Sequence, residues 1–375
     1  MLIKNGTVFT ENGGFEDLSV LTDDERITML LPRGAMIKYG GEVVDAEGCY
    51  VLPALVDIHF HGCAGHDFCE GTAEAFAAIA EYEFSRGVTA VCPATMTLPE
   101  ERLAAILESA AVFSKQGTKQ GQAKLVGIHM EGPFVNKEKR GAQNEAYIQQ
   151  ASPEKLRRWQ KAANGMVKLV TLAPETEGAI ECISECRGEF RFSLGHTAAD
   201  YDTARKALSA GADHITHMFN AMPPFAHRET GVIGAAFDDP HCFAEIIADG
   251  VHLSPTAVRA AFRLFGDDRI VLISDSMEAT GMPDGRYQLG GQAVNVRGNR
   301  ALLDNGTLAG SVTDLYGCLR TAVDMGIPLE SAVKAAALNP AVSIGIDDDY
   351  GSIAVGKRAS FLLVDKNTLD IVRVI

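Results

Sequence analysis

Leu52-Pro53-Ala54-Leu55-Val56-Asp57-Ile58-His59-Phe60-His61-Gly62 is an apolar run that ends in two histidines one residue apart. On a β-strand, residues i and i+2 point to the same face. His59 and His61 are therefore expected to offer two imidazoles to one cation at a strand's end. By itself an H-x-H pair is weak, because paired histidines also occur as ordinary polar residues. Here it follows a buried-strand pattern, and four further candidate site residues lie downstream, each at its own strand end. That combination points to a metal-dependent hydrolase rather than a structural protein.

Working outward, apolar strands alternate with amphipathic helices. The strands expected are Val51–His59, Val88–Thr95, Leu125–Glu131, Val167–Ala173, Phe192–His196, His214–Phe219, Phe243–Ala248 and Ile270–Ser274. Their continuous apolar character fits a parallel sheet buried on both faces. Helices are expected at Thr72–Arg86, Pro99–Ser114, Pro153–Ala163 and Thr203–Ala210, and again at Thr313–Met325 and Pro328–Leu338. Strand then helix, repeated eight times, is the signature of an α/β fold of the TIM-like (β/α)₈ barrel type, in which the chemistry sits at the C-terminal strand ends. Short strands at both termini are expected to pair into a small β-sandwich domain of residues 1–52 and 346–375. The catalytic barrel then spans 53–345. Alternation around Gly290-Gly291 predicts a β-hairpin insertion at about 283–306.

Composition narrows the classes. The chain has 375 residues and a net charge of −15. So acidic a surface repels polyphosphate backbones, which argues against a nucleic-acid partner. No apolar run approaches the ~20 residues that cross a bilayer. The first residues lack the layout of a signal peptide, so a cytoplasmic location is expected. Eight scattered cysteines with no C-x-x-C pair do not read as a disulfide framework.

The strand ends then supply the chemistry. They carry His59 and His61, Glu131, His196, His217 and Asp275. Imidazoles with a carboxylate suit zinc and similar divalent ions, with iron, manganese or cobalt as alternatives. Glu131 can bridge two cations, one held with His59 and His61, the other with His196 and His217. Packing alone does not account for so many polar groups at one mouth, since buried charges are costly without partners. Asp275 has a different task. A cation lowers the pKa of its water to about 7, and one carboxylate beside it can act as base and then as acid. Asp275 as a further ligand is compatible with that role. His129 shares parity with Glu131 but is expected deeper, in a hydrogen-bonded role. His214 is expected at the far end of its strand, and His66 and His241 at the surface.

Several motifs occur in a fixed order: His129-Met130-Glu131-Gly132-Pro133-Phe134, Gly195-His196-Thr197, Thr216-His217-Met218-Phe219-Asn220-Ala221-Met222-Pro223, Ala248-Asp249-Gly250-Val251-His252, Ser274-Asp275-Ser276 and Leu308-Ala309-Gly310-Ser311. Together they resemble the amidohydrolase superfamily, and within it the N-acetylglucosamine-6-phosphate deacetylases, over essentially the whole chain. The resemblance implies hydrolysis of N-acetylglucosamine 6-phosphate to glucosamine 6-phosphate and acetate. It implies metal binding at Glu131, His196 and His217, and acid–base catalysis by Asp275. It implies sugar-phosphate contacts from Asn220, Ala221, His252 and Arg228, the last reaching across from the neighbouring subunit of a homodimer. Some members lack the paired histidines and use one metal; with His59 and His61 intact, two Zn²⁺ are expected here. Other members have histidine where Gln143 stands, polarising the acyl carbonyl; glutamine donates a hydrogen bond without charge. The alternatives are an amidohydrolase acting on a cyclic amide, an N-acyl amino acid or N-acetylgalactosamine 6-phosphate, and a non-catalytic sugar-phosphate sensor.

Overall fold

The computed structural model describes residues 1–23 and 25–375. Seven parallel strands form a curved half-barrel in the order Ala94–Thr95, Ile128–Glu131, Val167–Leu172, Arg191–Leu194, His214–Ile215, Phe243–Ile246, Ile270–Leu272. A three-stranded parallel sheet of Leu55–Asp57, Val88–Val91 and Lys124–Leu125 adjoins it. Backbone hydrogen bonds join the last strand's extension to the first: Asp275 N to His59 O at 2.9 Å and His61 N to Ser276 O at 2.7 Å. All these strands run the same way, so their C-terminal ends share one mouth.

The termini make a second, seven-stranded sheet. Its path runs Ile371–Val374, Phe361–Asp365, Cys49–Pro53, Leu2–Phe9, Phe15–Thr22, Ile27–Pro32, and Val43–Asp45 pairs with Leu2–Phe9 off that path. Ile3, Val8, Val20, Val51, Phe361 and Leu363 form its apolar core.

The expected strand Val51–His59 is two strands. Cys49–Pro53 pairs antiparallel with Phe361–Asp365, with Leu52 opposite Leu362, whereas Leu55–Asp57 pairs parallel with Val88–Val91. One apolar run serves two sheets, and hydropathy carries no mark of where the partner changes. Val88–Thr95 is also interrupted, at Cys92-Pro93, where proline has no amide to donate to a ladder. His214–Phe219 shrinks to His214–Ile215 because His217 and Phe219 adopt left-handed φ of 30° and 79°, which curls the chain out of the sheet.

Helices fall close to expectation because their ends are capped by sequence-local groups. Thr72 Oγ1 accepts from Ala75 N, Ser152 Oγ from Lys155 N ahead of Pro153, and Asp200 Oδ1 from Thr203 N. Four further α-helices, Ala179–Glu185, Gly231–Phe237, Pro255–Phe265 and Leu338–Ser343, are not among the spans named above. The insertion is a three-stranded antiparallel sheet, Gly285–Leu289, Gln292–Arg297 and Arg300–Leu303, rather than a hairpin. Its Leu289 packs with Met96, Ala142 and Met277 over the mouth. No helix among the described residues is long and apolar enough to cross a membrane.

Beneath the mouth lies a polar ladder. His129 Nε2 is 2.7 Å from Thr171 Oγ1, Thr171 Oγ1 is 2.8 Å from Thr216 Oγ1, and Ser193 Oγ is 2.5 Å from the same atom. Gly195 makes room for it: a Cβ there would lie 2.5 Å from Thr216 Cβ and 3.0 Å from Thr171 Cγ2. Gly195→Ala is expected to destabilise the protein by about 1–3 kcal/mol through overpacking, read as a lower denaturant midpoint at unchanged slope.

Candidate metal centre and substrate cavity

Apart from Glu131, the site residues sit just past strand ends rather than within strands. Leu55–Asp57 ends two residues before His59, whose amide donates to Asp57 Oδ1 at 3.2 Å. Glu131 closes its own strand. His196, His217 and Asp275 all lie beyond their strands with φ of 47°, 30° and 47°. A non-glycine residue in this region costs of order 1–3 kcal/mol and persists where its surroundings over-determine it. Each such turn swings a side chain from the sheet wall into the mouth.

The Glu131 carboxylate is the hub. Its Oε1 lies 3.2 Å from His59 Nε2, 3.1 Å from His196 Nε2 and 3.2 Å from His217 Nε2. Its Oε2 lies 3.3 Å from His61 Nε2 and accepts from Gln143 Nε2 at 2.6 Å. Asp275 Oδ1 lies 3.4 Å from His61 Nε2 and 3.8 Å from His59 Nε2. All six side chains are buried, Asp275 most open at 7%. Two trios have ligand atoms within 4.8 Å of one another, His59–His61–Asp275 and Glu131–His196–His217.

This donor set fits divalent cations. His196 Nε2 and His217 Nε2 face each other at 3.1 Å, and both face one carboxylate oxygen. His59 Nε2 is buried without a hydrogen bond. Buried polar atoms ordinarily find partners; a cation among these lone pairs supplies one.

The electrostatics agree. Burial alone would lower the His61 pKa, but Asp275 and Glu131 outweigh it and push it up to about 10. His59 is likewise driven well above its usual range against burial, by Glu131 and Glu245. Burial works to raise the Glu131 carboxyl, yet the His59 and His196 charges hold it well below the usual carboxylate range. Without a cation, then, His59 and His61 retain protons, and a cation and protons compete for these nitrogens.

His61, Glu131, His196, His217 and Asp275 form part of the wall of a cavity of about 460 Å³, with His59 buried behind them, within the size range of small-ligand sites. Gln143, Asn220, Ala221 and His252 also line it. His252 Nδ1 is held by Asp249 Oδ2 at 2.8 Å, which leaves Nε2 for a ligand. Gln143 is tied at both ends, donating to Glu131 and accepting from Thr97 N at 2.6 Å, so its amide braces Glu131. Arg228 is not in the cavity. It is exposed and its Nη1 contacts His227 Nε2. His129 and His214 stay out of the centre, bonded to Thr171 and to Asp213 at 2.7 Å. Sequence reasoning missed Lys139 and Arg140, which line the cavity, and Glu245, buried behind His59. The first two lie on a connecting segment with no periodicity to flag them. Glu245 sits inside an apolar strand, where an acid is itself a signal that a partner exists.

The amidohydrolase family model matches residues 50–375. The N-acetylglucosamine-6-phosphate deacetylase of Bacillus subtilis is 36% identical over 98% of this chain and 93% of its own. The N-acetylgalactosamine-6-phosphate deacetylase of Escherichia coli O157:H7 is 32% identical over 97% and 95%. A variant of the Mycobacterium smegmatis N-acetyl-D-glucosamine-6-phosphate deacetylase, solved with N-acetyl-D-glucosamine-6-phosphate, superposes with a TM-score of 0.92 at 31% identity, covering 100% of this chain and 97% of that one. Such likeness, in sequence and in fold over nearly the full length, makes this chain a member of the amidohydrolase family, in its N-acetylglucosamine-6-phosphate deacetylase branch.

Proposed function

We propose that this protein hydrolyses the acetamide of N-acetylglucosamine 6-phosphate, releasing glucosamine 6-phosphate and acetate. The observation that carries the reading is the convergence of four imidazoles on the Glu131 carboxylate, with Asp275 against His61, at the wall of a ligand-sized cavity. In this reading His59, His61 and Asp275 would hold one divalent ion, zinc by default, and Glu131, His196 and His217 would hold a second. A cation bound there polarises the acetyl carbonyl and lowers the pKa of its water to about 7.

The chain's own groups do the rest. Asp275 takes a proton from the attacking water, whose oxygen bonds to the acetyl carbon. As the C–N bond breaks, Asp275 returns that proton to the departing amine. Gln143 keeps Glu131 in place. His252 and Asn220, lining the cavity, hold the sugar phosphate. Arg228, exposed and outside its own subunit's cavity, reaches the neighbouring subunit's site in a cytoplasmic homodimer, forking its guanidinium onto the phosphate. The architecture belongs to the same reading. The seven-stranded and three-stranded parallel sheets make one closed (β/α)₈ barrel across residues 53–345, and the terminal sheet makes a small β-sandwich domain of residues 1–52 and 346–375.

Purified protein with zinc should release acetate from N-acetylglucosamine 6-phosphate faster than from its galacto epimer or the unphosphorylated sugar. No acetate from any of the three overturns the reading, and preference for the galacto epimer moves the substrate to N-acetylgalactosamine 6-phosphate. Asp275→Asn should lower kcat by about 10²–10⁴-fold while substrate binding survives, measured by steady-state kinetics and calorimetry. Arg228→Ala should raise KM for the sugar phosphate by roughly 10–100-fold, the worth of a charged hydrogen bond, with kcat little changed.

Cation loading should depend on pH. His61 in the cation-free protein titrates at about 10, so at pH 7 a cation must eject its proton. Zinc affinity is therefore expected to rise from pH 6 towards pH 9. Calorimetry in buffers of different ionisation enthalpy should show at least one proton released per chain.

A further inference from the structure

Glu245 lies on Phe243–Ile246, entirely buried and not among the cavity-lining residues, so it has no access to substrate. One of its oxygens does two things. Oε2 is 2.9 Å from His59 Nδ1 and accepts the backbone N–H of His217 at 3.2 Å. Its backbone carbonyl accepts from Met218 N at 2.7 Å. Its other oxygen, Oε1, has no hydrogen-bond partner, and neither has the nearby His129 Nδ1. Ligand atoms of Glu245, His59 and His129 lie within 4.8 Å of one another.

The contact with His59 decides which nitrogen carries the proton. A carboxylate on Nδ1 keeps a hydrogen there, so the nitrogen left to a cation is Nε2, which faces Glu131 and Asp275. It also makes the imidazole a stronger donor to a cation. The contact with His217 holds a strained turn. That residue sits at φ of 30°, and an acceptor on its amide keeps the turn closed with Nε2 aimed at Glu131. His59 and His217 belong to different trios, yet the same oxygen restrains both.

We propose that Glu245 is a positioning residue that couples the two cation half-sites, setting the tautomer of His59 in one and the backbone turn of His217 in the other. The proposal rests on the two-cation reading above. Loss of the carboxylate takes the partner from the His59 ring nitrogen Nδ1 directly, whereas His217 loses an acceptor on its backbone and keeps its ring contacts, so the half-site of His59 suffers more.

The test is zinc titration of metal-free wild type and Glu245→Gln, with bound zinc counted by elemental analysis. Wild type should take up two ions per chain. Glu245→Gln should keep one near wild-type affinity and bind the other about 10–100-fold more weakly. Its kcat should fall at limiting zinc and recover with excess zinc, and KM for the sugar phosphate should stay within about twofold of wild type, a split that general destabilisation would not produce. If Glu245→Gln does not fold, Glu245→Asp, with its carboxylate drawn back from Nδ1, should show the same asymmetry more weakly. Two ions in wild type with unchanged affinities in the variant that folds would overturn the role of Glu245 alone. A single ion in wild type would overturn both the coupling and the two-cation reading.

Discussion

A carboxylate almost sealed from solvent, with four imidazoles around it, sets the terms for this molecule. Glu131 could not stay ionised in such a place unaided, since burial favours the neutral acid. Positive charge has to be brought to it, as protons on His59 and His61 or as cations among the same nitrogens. Meeting that demand requires the extensions of three other parallel strands to end within hydrogen-bonding reach of one group. Parallel topology does this naturally, because every strand delivers its C-terminal end to the same side.

Delivery is not enough, because a strand carries its side chains perpendicular to the sheet. His196, His217 and Asp275 each turn inward through a left-handed residue. Those turns cost conformational energy, which the fold offsets by giving their backbone groups specific partners. Asp275 N is taken by His59 O, His217 N by Glu245, and Met218 N by the carbonyl of the same Glu245. The hydrogen bonds that close the last strand onto the first are thus also those that orient the centre. Stability of the mouth and geometry of the site are one set of interactions.

A surrounding layer holds the ligand-type residues in aim. Gln143 is clamped between Thr97 N and Glu131, Asp57 supports the His59 amide, Lys139 O receives His196 Nδ1, and Asp249 fixes His252. Asp57 is itself costly, its carboxyl pushed up to about 7 by burial. Each of these contacts removes a rotational freedom that the centre would otherwise have to give up if it took a cation.

Much of this was legible from the chain alone. Apolar runs alternating with amphipathic helices identified a parallel α/β fold, because periodicity is a local property. The strand-end residues His59, His61, Glu131, His196, His217 and Asp275 stood out because polar groups that terminate apolar strands need a common partner. Hidden from the sequence was every feature set by pairing between distant segments. Pro53 and Leu55 belong to different sheets, His214–Phe219 curls after two paired residues, and Gln143 spends its amide on Glu131. Arg228 falls outside its own cavity, and Glu245 reaches two histidines from separate strands. Local residue order determined which chemistry was available; only the tertiary structure decided which atoms meet, since a hydrogen-bond partner on another strand or loop leaves no periodicity in the chain that names it.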